Sequence, residues 1–475
     1  MRSGEIWALV AGLVCLPAHA RNIPSSIGQP KVVSLSTQRK TIANPVQRDR
    51  LRRRDAVKAA LDNEETLYFV NATIGTPAQP LRLHLDTGSS DLWVNTPASA
   101  LCAQTTQPCS FAGAYTANDS STYEFVGDWF NISYVDGSGA SGDYVSDTIT
   151  IGSTTLNRLQ FGIGYQSTSS QGILGIGYPI NEVQVGRAQK DQYDNLPAKM
   201  VTSGKIARNA YSLWLNDLDA STGSILFGGV DTEQYHGSLQ TLPIQANAGV
   251  YSEFMITLTS LQLGNQSIAQ NQALAVLLDS GSSLTYLPDG MVQDIYAQVG
   301  AQYSANDGAA YVPCTLAAAK ATLDFTFSAP TISVDMTELV LDLVTSSGRR
   351  PTFSDGQPAC LFGVSPAGSG TNVLGDTFLR SAYVVYDIAN NQISLAQTNF
   401  NATRSSVQEI PAGTSLPDAT AVANSVQATD GVVSSGGGNG NADLGTASGA
   451  TTAVTASVPV LALLSVGFAT LASLL

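Results

Sequence analysis

The segment Leu81-Arg82-Leu83-His84-Leu85-Asp86-Thr87-Gly88-Ser89-Ser90-Asp91-Leu92-Trp93-Val94 decides the reading, because the chain contains it twice. The echo is Leu274-Ala275-Val276-Leu277-Leu278-Asp279-Ser280-Gly281-Ser282-Ser283-Leu284-Thr285-Tyr286-Leu287. In each copy an apolar run closes on Asp, a small hydroxyl residue and Gly, and two serines and a second apolar run follow. Each copy reads as strand, tight turn, strand. One Asp-Gly pair between strands is an ordinary turn. Two with matching flanks suggest two lobes, each presenting one carboxylate to a shared cleft.

Paired carboxylates have a use. Held close together they do not both ionise easily, so one keeps its proton. The charged member can then act as general base on a water, and the neutral member as general acid toward a carbonyl. Gly88 and Gly281 permit tight turns. Thr87 and Ser280 offer small hydroxyls that can bond across the pair.

On these residues the chain resembles the pepsin-type aspartic endopeptidases, in particular the fungal yapsin and candidapepsin group. The resemblance runs from about Leu67 to Gln397 and begins with Tyr68-Phe69-Val70-Asn71-Ala72-Thr73-Ile74-Gly75-Thr76-Pro77. Two apolar-apolar-Gly segments support it, Gly172-Ile173-Leu174-Gly175-Ile176-Gly177 and Asn372-Val373-Leu374-Gly375-Asp376. The resemblance implies that each passes behind its own Asp. It also makes Phe130 to Gly142 a flap hairpin, with Tyr134 as the flap tyrosine and Asp136 and Gly137 at its tip. Ser89 and Ser282 would bond the two carboxylates, and Trp93 would orient Tyr134.

The fold expected is all-β and bilobal, with the cleft between two homologous lobes. Frequent turns and alternating strands, such as Tyr144 to Gly152 and Ser224 to Gly229, agree with it. Helical patterns are short, near Leu196–Thr202 and Met291–Val299. The expected divisions are a signal peptide (1–20), a basic propeptide (21–54), lobes over 55–235 and 236–400, a flexible stalk (401–445) and a hydrophobic anchor signal (446–475).

Composition separates these parts. The chain has 23 Lys and Arg against 37 Asp and Glu. Ten and two of these lie up to residue 54, which leaves the remainder 13 against 35, a formal charge of −22. Arg50-Leu51-Arg52-Arg53-Arg54 marks the border and reads as a processing site. An acidic body argues against nucleic acid as a partner. Residues 1–20 have an apolar run and a small-x-small end, Ala18-His19-Ala20, as a secretory signal does. Beyond Asn401 the chain is rich in Ser, Thr, Ala, Gly and Asn, a composition expected to behave as a linker. Val454 to Leu475 is uncharged and mostly apolar, with no basic residue after it. That tail reads as the signal for a glycosylphosphatidylinositol anchor, with Asn441 and Gly445 as attachment candidates. A retained membrane span is the alternative. The location expected is outside the cell, at the plasma membrane or in the wall.

Four cysteines remain after Cys15 leaves with the signal, and three pairings are open to them. Sequence proximity and the resemblance favour Cys102 with Cys109 and Cys314 with Cys360. Sequons begin at Asn71, Asn118, Asn131, Asn265 and Asn401. With only His84 and His236 left, neither a metal site nor a Ser-His-Asp triad is expected, and the mechanism requires no cofactor. The partners expected are peptide and protein substrates, taken by a monomer. Two other classes stand as alternatives. An inactive pepsin-fold binding or inhibitor protein typically loses an Asp, the flap Tyr or a turn Gly, and all are present here. A structural wall glycoprotein explains the tail but not the large patterned body. A preference for Lys or Arg near the cleaved bond is expected from Asp136 and the acidic body.

Overall fold

The computed structural model describes residues 31–43, 64–134, 138–220, 222–343 and 350–431. Strand β1 (Val33–Ala43) lies within the basic segment 21–54. Val33, Leu35 and Thr37 point inward while Ser34, Ser36 and Gln38 face out, the period of a half-buried strand. It pairs antiparallel with β2 (Glu64–Ile74), which in turn pairs with β3 (Gln79–Asp86). There follow β4 (Leu92–Asn95), β5 (Glu124–Ser133), β6 (Gly139–Ile151), β7 (Thr154–Ser167) and β8 (Gly172–Gly175). The strand expected over Tyr144 to Gly152 falls within β6. The one expected over Ser224 to Gly229 falls on β10 (Thr222–Phe227) and the start of β11 (Gly229–Asp231), after β9 (Ala210–Trp214).

One long sheet takes these strands in the order β5-β6-β7-β4-β8-β3-β2-β1-β10-β9. It continues through strands Ala382–Asp387 and Gln392–Thr398 to β12 (Tyr235–Pro243). The chain's second half therefore returns to the sheet begun by its first half.

Both Asp cassettes are built alike. β8 runs parallel to β3 and sets Gly175 opposite Asp86. The short strand Val373–Leu374 runs parallel to Leu277–Leu278 at the end of strand Leu274–Leu278. The two apolar-apolar-Gly segments thus lie beside the strands that end in Asp86 and Asp279. Glycine is required there by contact. A Cβ on Gly175 would sit 2.6 Å from the Asp91 nitrogen, and one on Gly375 would sit 2.3 Å from the carbonyl oxygens of Ser282 and Leu284. Leu83, Leu85, Leu174, Leu278, Leu284 and Leu374 belong to one continuous buried cluster, so both cassettes rest on a single core.

The two expected helices form. Leu196–Thr202 is capped by Asn195, whose side chain accepts the Ala198 N–H at 3.4 Å. The second begins two residues early, at Asp289, and ends at Val299 before Gly300. Both disulfides pair as expected, Cys102–Cys109 and Cys314–Cys360, with Cα separations of 5.3 and 5.0 Å.

The stalk expectation for 401–445 needs correction over its described part, 401–431. This stretch is a strap laid on the body rather than a free linker. Val407–Glu409 pairs with β11, and Ala419–Ala421 pairs parallel with β12. Ile410 is fully buried. Arg208 donates to the carbonyls of Gly413 and Ser415, and the Ala275 N–H donates to the carbonyl of Asp430 at 2.8 Å. The composition argument failed because main-chain pairing with exposed sheet edges asks for few apolar side chains. Residues 1–30, the Arg50–Arg54 run, and the tail from 432 onward, with Asn441 and Gly445, lie outside the described residues. All five sequon asparagines, Asn71 on β2 included, have exposed side chains.

Candidate active site

β3 delivers Asp86 and strand Leu274–Leu278 delivers Asp279, and both carboxylates are buried. Their hydrogen bonds are the same twice over. Oδ1 of Asp86 accepts from the Gly88 N–H at 2.8 Å, and Oδ1 of Asp279 from the Gly281 N–H at 2.8 Å. Oδ2 of Asp86 accepts from the Ser89 hydroxyl at 2.6 Å, and Oδ2 of Asp279 from the Ser282 hydroxyl at 2.7 Å. Two aimed donors on each carboxylate fix the orientation of each group.

The two turns are bolted to each other. The Thr87 N–H donates to Ser280 Oγ at 3.2 Å, and the Ser280 N–H donates to Thr87 Oγ1 at 3.0 Å. The same hydroxyls donate onward: Thr87 to the Leu278 carbonyl and Ser280 to the Leu85 carbonyl, each at 3.0 Å. Gly88 abuts the opposite carboxylate so closely that an added Cβ would lie 2.5 Å from Asp279 Oδ1.

The hairpin of β5 and β6 stands as expected over its described residues. Tyr134 follows β5, and its N–H donates to the Ser138 carbonyl at 2.8 Å. Its hydroxyl accepts from Nε1 of Trp93 at 2.7 Å. Trp93 is itself fully buried, next to Phe130. Asp136 and Gly137 lie outside the described residues.

A buried acidic pair near the first cassette escaped the sequence reading. Asp91 accepts the hydroxyls of Tyr144 and Tyr193 on Oδ1, at 2.6 and 2.9 Å, and the Val183 N–H on Oδ2 at 2.8 Å. Burial pushes its carboxyl up, against the pull of those three donors. Glu182, completely buried, accepts the Tyr193 N–H at 2.8 Å. Burial, with the Asp91 charge adding to it, lifts its carboxyl from an ordinary 4.5 to about 10. One signal was available: the second cassette has Leu284 where the first has Asp91, so this acid departs from the repeat.

Among the described residues, the one His, Cys, Asp and Glu grouping at ligand distance is Cys314, Asp342 and Cys360. Its two sulfurs are joined to each other and offer no thiolate.

Comparison with known proteins agrees with this geometry. A family model described as eukaryotic aspartyl protease matches residues 67–398. A probable aspartic-type endopeptidase opsB of Aspergillus oryzae is 55% identical over 436 residues, covering 90% of this chain and 87% of that protein. A protein of the same description from Aspergillus fumigatus is 52% identical over 463 residues, covering 96% and 92%. Secreted aspartic protease 1 of Candida albicans is 37% identical over 371 residues, covering 76% and 89%. The crystal structure of an aspartic proteinase from Irpex lacteus superposes with a TM-score of 0.58 at 22% identity, covering 79% of this chain and all of that one, which shows the fold. The chain is an aspartic-type endopeptidase and belongs to the eukaryotic aspartyl protease family.

Proposed function

We propose that Asp86 and Asp279 are the catalytic pair and activate one water for attack on a peptide bond at acidic pH. The reading is carried by the duplicated donor pattern on the two carboxylates, together with the reciprocal Thr87–Ser280 bonds. The charged member takes a proton from the water as its oxygen attacks the scissile carbonyl carbon. The protonated member donates to the developing oxyanion. Collapse of the tetrahedral intermediate breaks the C–N bond as a proton passes to the leaving nitrogen. Thr87, Gly88, Ser89, Ser280, Gly281 and Ser282 orient the pair. Tyr134, held by Trp93, helps cover the bound peptide and exclude water.

Substrate choice follows from charge. Asp136, two residues after Tyr134, and a body of formal charge −22 beyond residue 54 favour peptides with Lys or Arg near the cleaved bond. The enzyme is secreted with a basic leader, matured after Arg54, and held at the cell surface by a lipid anchor. The signal-like start, the arginine run and the apolar tail support this, as does the Candida relative's description as secreted.

Peptide hydrolysis with and without an aspartyl-directed transition-state analogue tests the catalytic reading. Matched peptides with basic or apolar residues at the cut test the preference. Asp136→Ala should lower turnover of the basic set more than of the apolar set. Equal losses would remove Asp136 as a specificity element.

A further inference from the structure

Arg187 belongs to neither Asp cassette. It follows the short helix Val183–Gly186, in the segment between β8 and helix Leu196–Thr202. Its guanidinium reaches the end of β5. Nη1 donates to the Asn131 carbonyl at 2.7 Å and to Asn131 Oδ1 at 3.3 Å, and Nη2 donates to the Ser133 hydroxyl. Ser133 is the residue before Tyr134.

The same segment is rooted in the first cassette. Val183 and Tyr193 both donate to Asp91, five residues beyond Asp86. Tyr144 of β6 donates to the same Asp91 oxygen as Tyr193. Gln184 accepts from Trp129 of β5 at 3.4 Å and from Gln160 of β7 at 2.8 Å. The Lys190 ammonium sits 4.7 Å from the Trp129 ring centre. The β5 arm of the Tyr134 hairpin is therefore gripped by this segment, and the β6 arm shares its Asp91 anchor on the cassette that holds Asp86.

We infer that Arg187 is a positioning residue for peptide hydrolysis: its fork fixes the end of β5 and so the placement of the Tyr134 hydroxyl on Trp93. The inference rests on the reading of Asp86 and Asp279 as catalytic and of the hairpin as the flap. Three neutral oxygens receive two guanidinium nitrogens. A lysine keeps the charge but is a single point donor that cannot reproduce the fork.

The test uses the full chain carrying Arg187→Lys, Tyr134→Phe or both, with melting midpoint, kcat and KM measured on one peptide. Loss of a charge-assisted bond predicts a fall in kcat/KM of about tenfold for Arg187→Lys. The melting midpoint should move by no more than about 2 °C. The double variant should lose clearly less than the product of the two single losses. Ser133→Ala should reproduce part of the Arg187→Lys loss. Asn131→Gln, which removes the same sequon and the weaker Asn131 Oδ1 contact but keeps the Ser133 hydroxyl and the main-chain carbonyl, should lose less than Ser133→Ala. Ser133→Ala carries the test alone if Arg187→Lys does not fold. Losses that multiply, an unchanged kcat/KM, or equal effects of Ser133→Ala and Asn131→Gln would overturn the inference. Asp86→Asn measured alongside separates the two claims. Its retained activity sinks the catalytic reading, whereas a dead Asp86→Asn beside a neutral Arg187→Lys sinks only this one.

Discussion

Thr87 and Ser280 exchange hydrogen bonds reciprocally, each N–H meeting the other's hydroxyl at 3.2 and 3.0 Å. They are 193 residues apart in the chain. Each hydroxyl also donates to the carbonyl of the residue just before the opposite Asp. Relative movement of the two cassettes therefore breaks four buried hydrogen bonds at once.

Thr87→Val keeps the shape and removes the hydroxyl. It leaves the Ser280 N–H and the Leu278 carbonyl without that partner. A buried group so stranded costs about 1–3 kcal/mol. The denaturation midpoint should drop accordingly, with a loss of turnover, while Thr87→Ser stays close to the parent. Equal midpoints for Val and Ser would show that the cross-bonds do not hold the lobes together.

Gly88→Ala tests the approach of the two turns. The new Cβ would meet Asp279 Oδ1 at 2.5 Å, too close for any real contact, so that carboxylate must leave the position its Gly281 and Ser282 donors give it. Hydrolysis should fall steeply while circular dichroism and secretion are preserved. Near-parental activity would mean that the two turns lie further apart than a 2.5 Å approach requires.

Glu182 sets a limit on stability toward neutral pH. Its carboxyl titrates near 4.5 when unfolded and at about 10 when folded. Between those values the folded protein holds a proton that the unfolded chain has lost. Its contribution is thus fully present below about pH 4.5 and shrinks as pH rises toward the folded value. The loss is at most about 1.4 kcal/mol per pH unit. Glu182→Gln keeps an acceptor for the Tyr193 N–H and does not ionise. The variant should therefore gain on the parent between about pH 4 and about pH 7, read as a widening difference in melting midpoint. A constant difference across that range would show that Glu182 does not govern the pH response.

Ile410 tests the strap. It is fully buried, and its N–H donates to the Gly228 carbonyl at 2.8 Å. Ile410→Ala should cost about 2–5 kcal/mol, as for other buried aliphatic truncations. Deletion from residue 401 onward should destabilise further by uncovering β11 and β12. A free linker would tolerate both changes, so unchanged melting would restore the original stalk reading.

Much of this site was legible in the sequence because it is written twice. The Asp-hydroxyl-Gly-Ser echo marked Asp86 and Asp279 and the hydroxyls that bond them. The paired apolar-apolar-Gly segments marked the strands beside them. What the reading missed had no such repetition. Asp91 breaks the echo, and Glu182 and Arg187 sit in a polar stretch whose role depends on which strands it touches. The strap at 401–431 was misjudged because its ordering comes from main-chain bonds, to which composition is blind.

The most direct measurement is the turnover of Asp86→Asn and Asp279→Asn, each produced with cleavage after Arg54 supplied by an added Arg-specific protease. Both changes preserve shape and leave an amide oxygen for the Gly88 or Gly281 N–H, with Ser89 or Ser282 turned to accept from the new NH2. The account predicts folded, secreted proteins whose kcat falls by at least about 10²–10⁴-fold, the scale of a lost general acid or base. Activity within about tenfold of the parent in either variant would contradict the assignment of the pair.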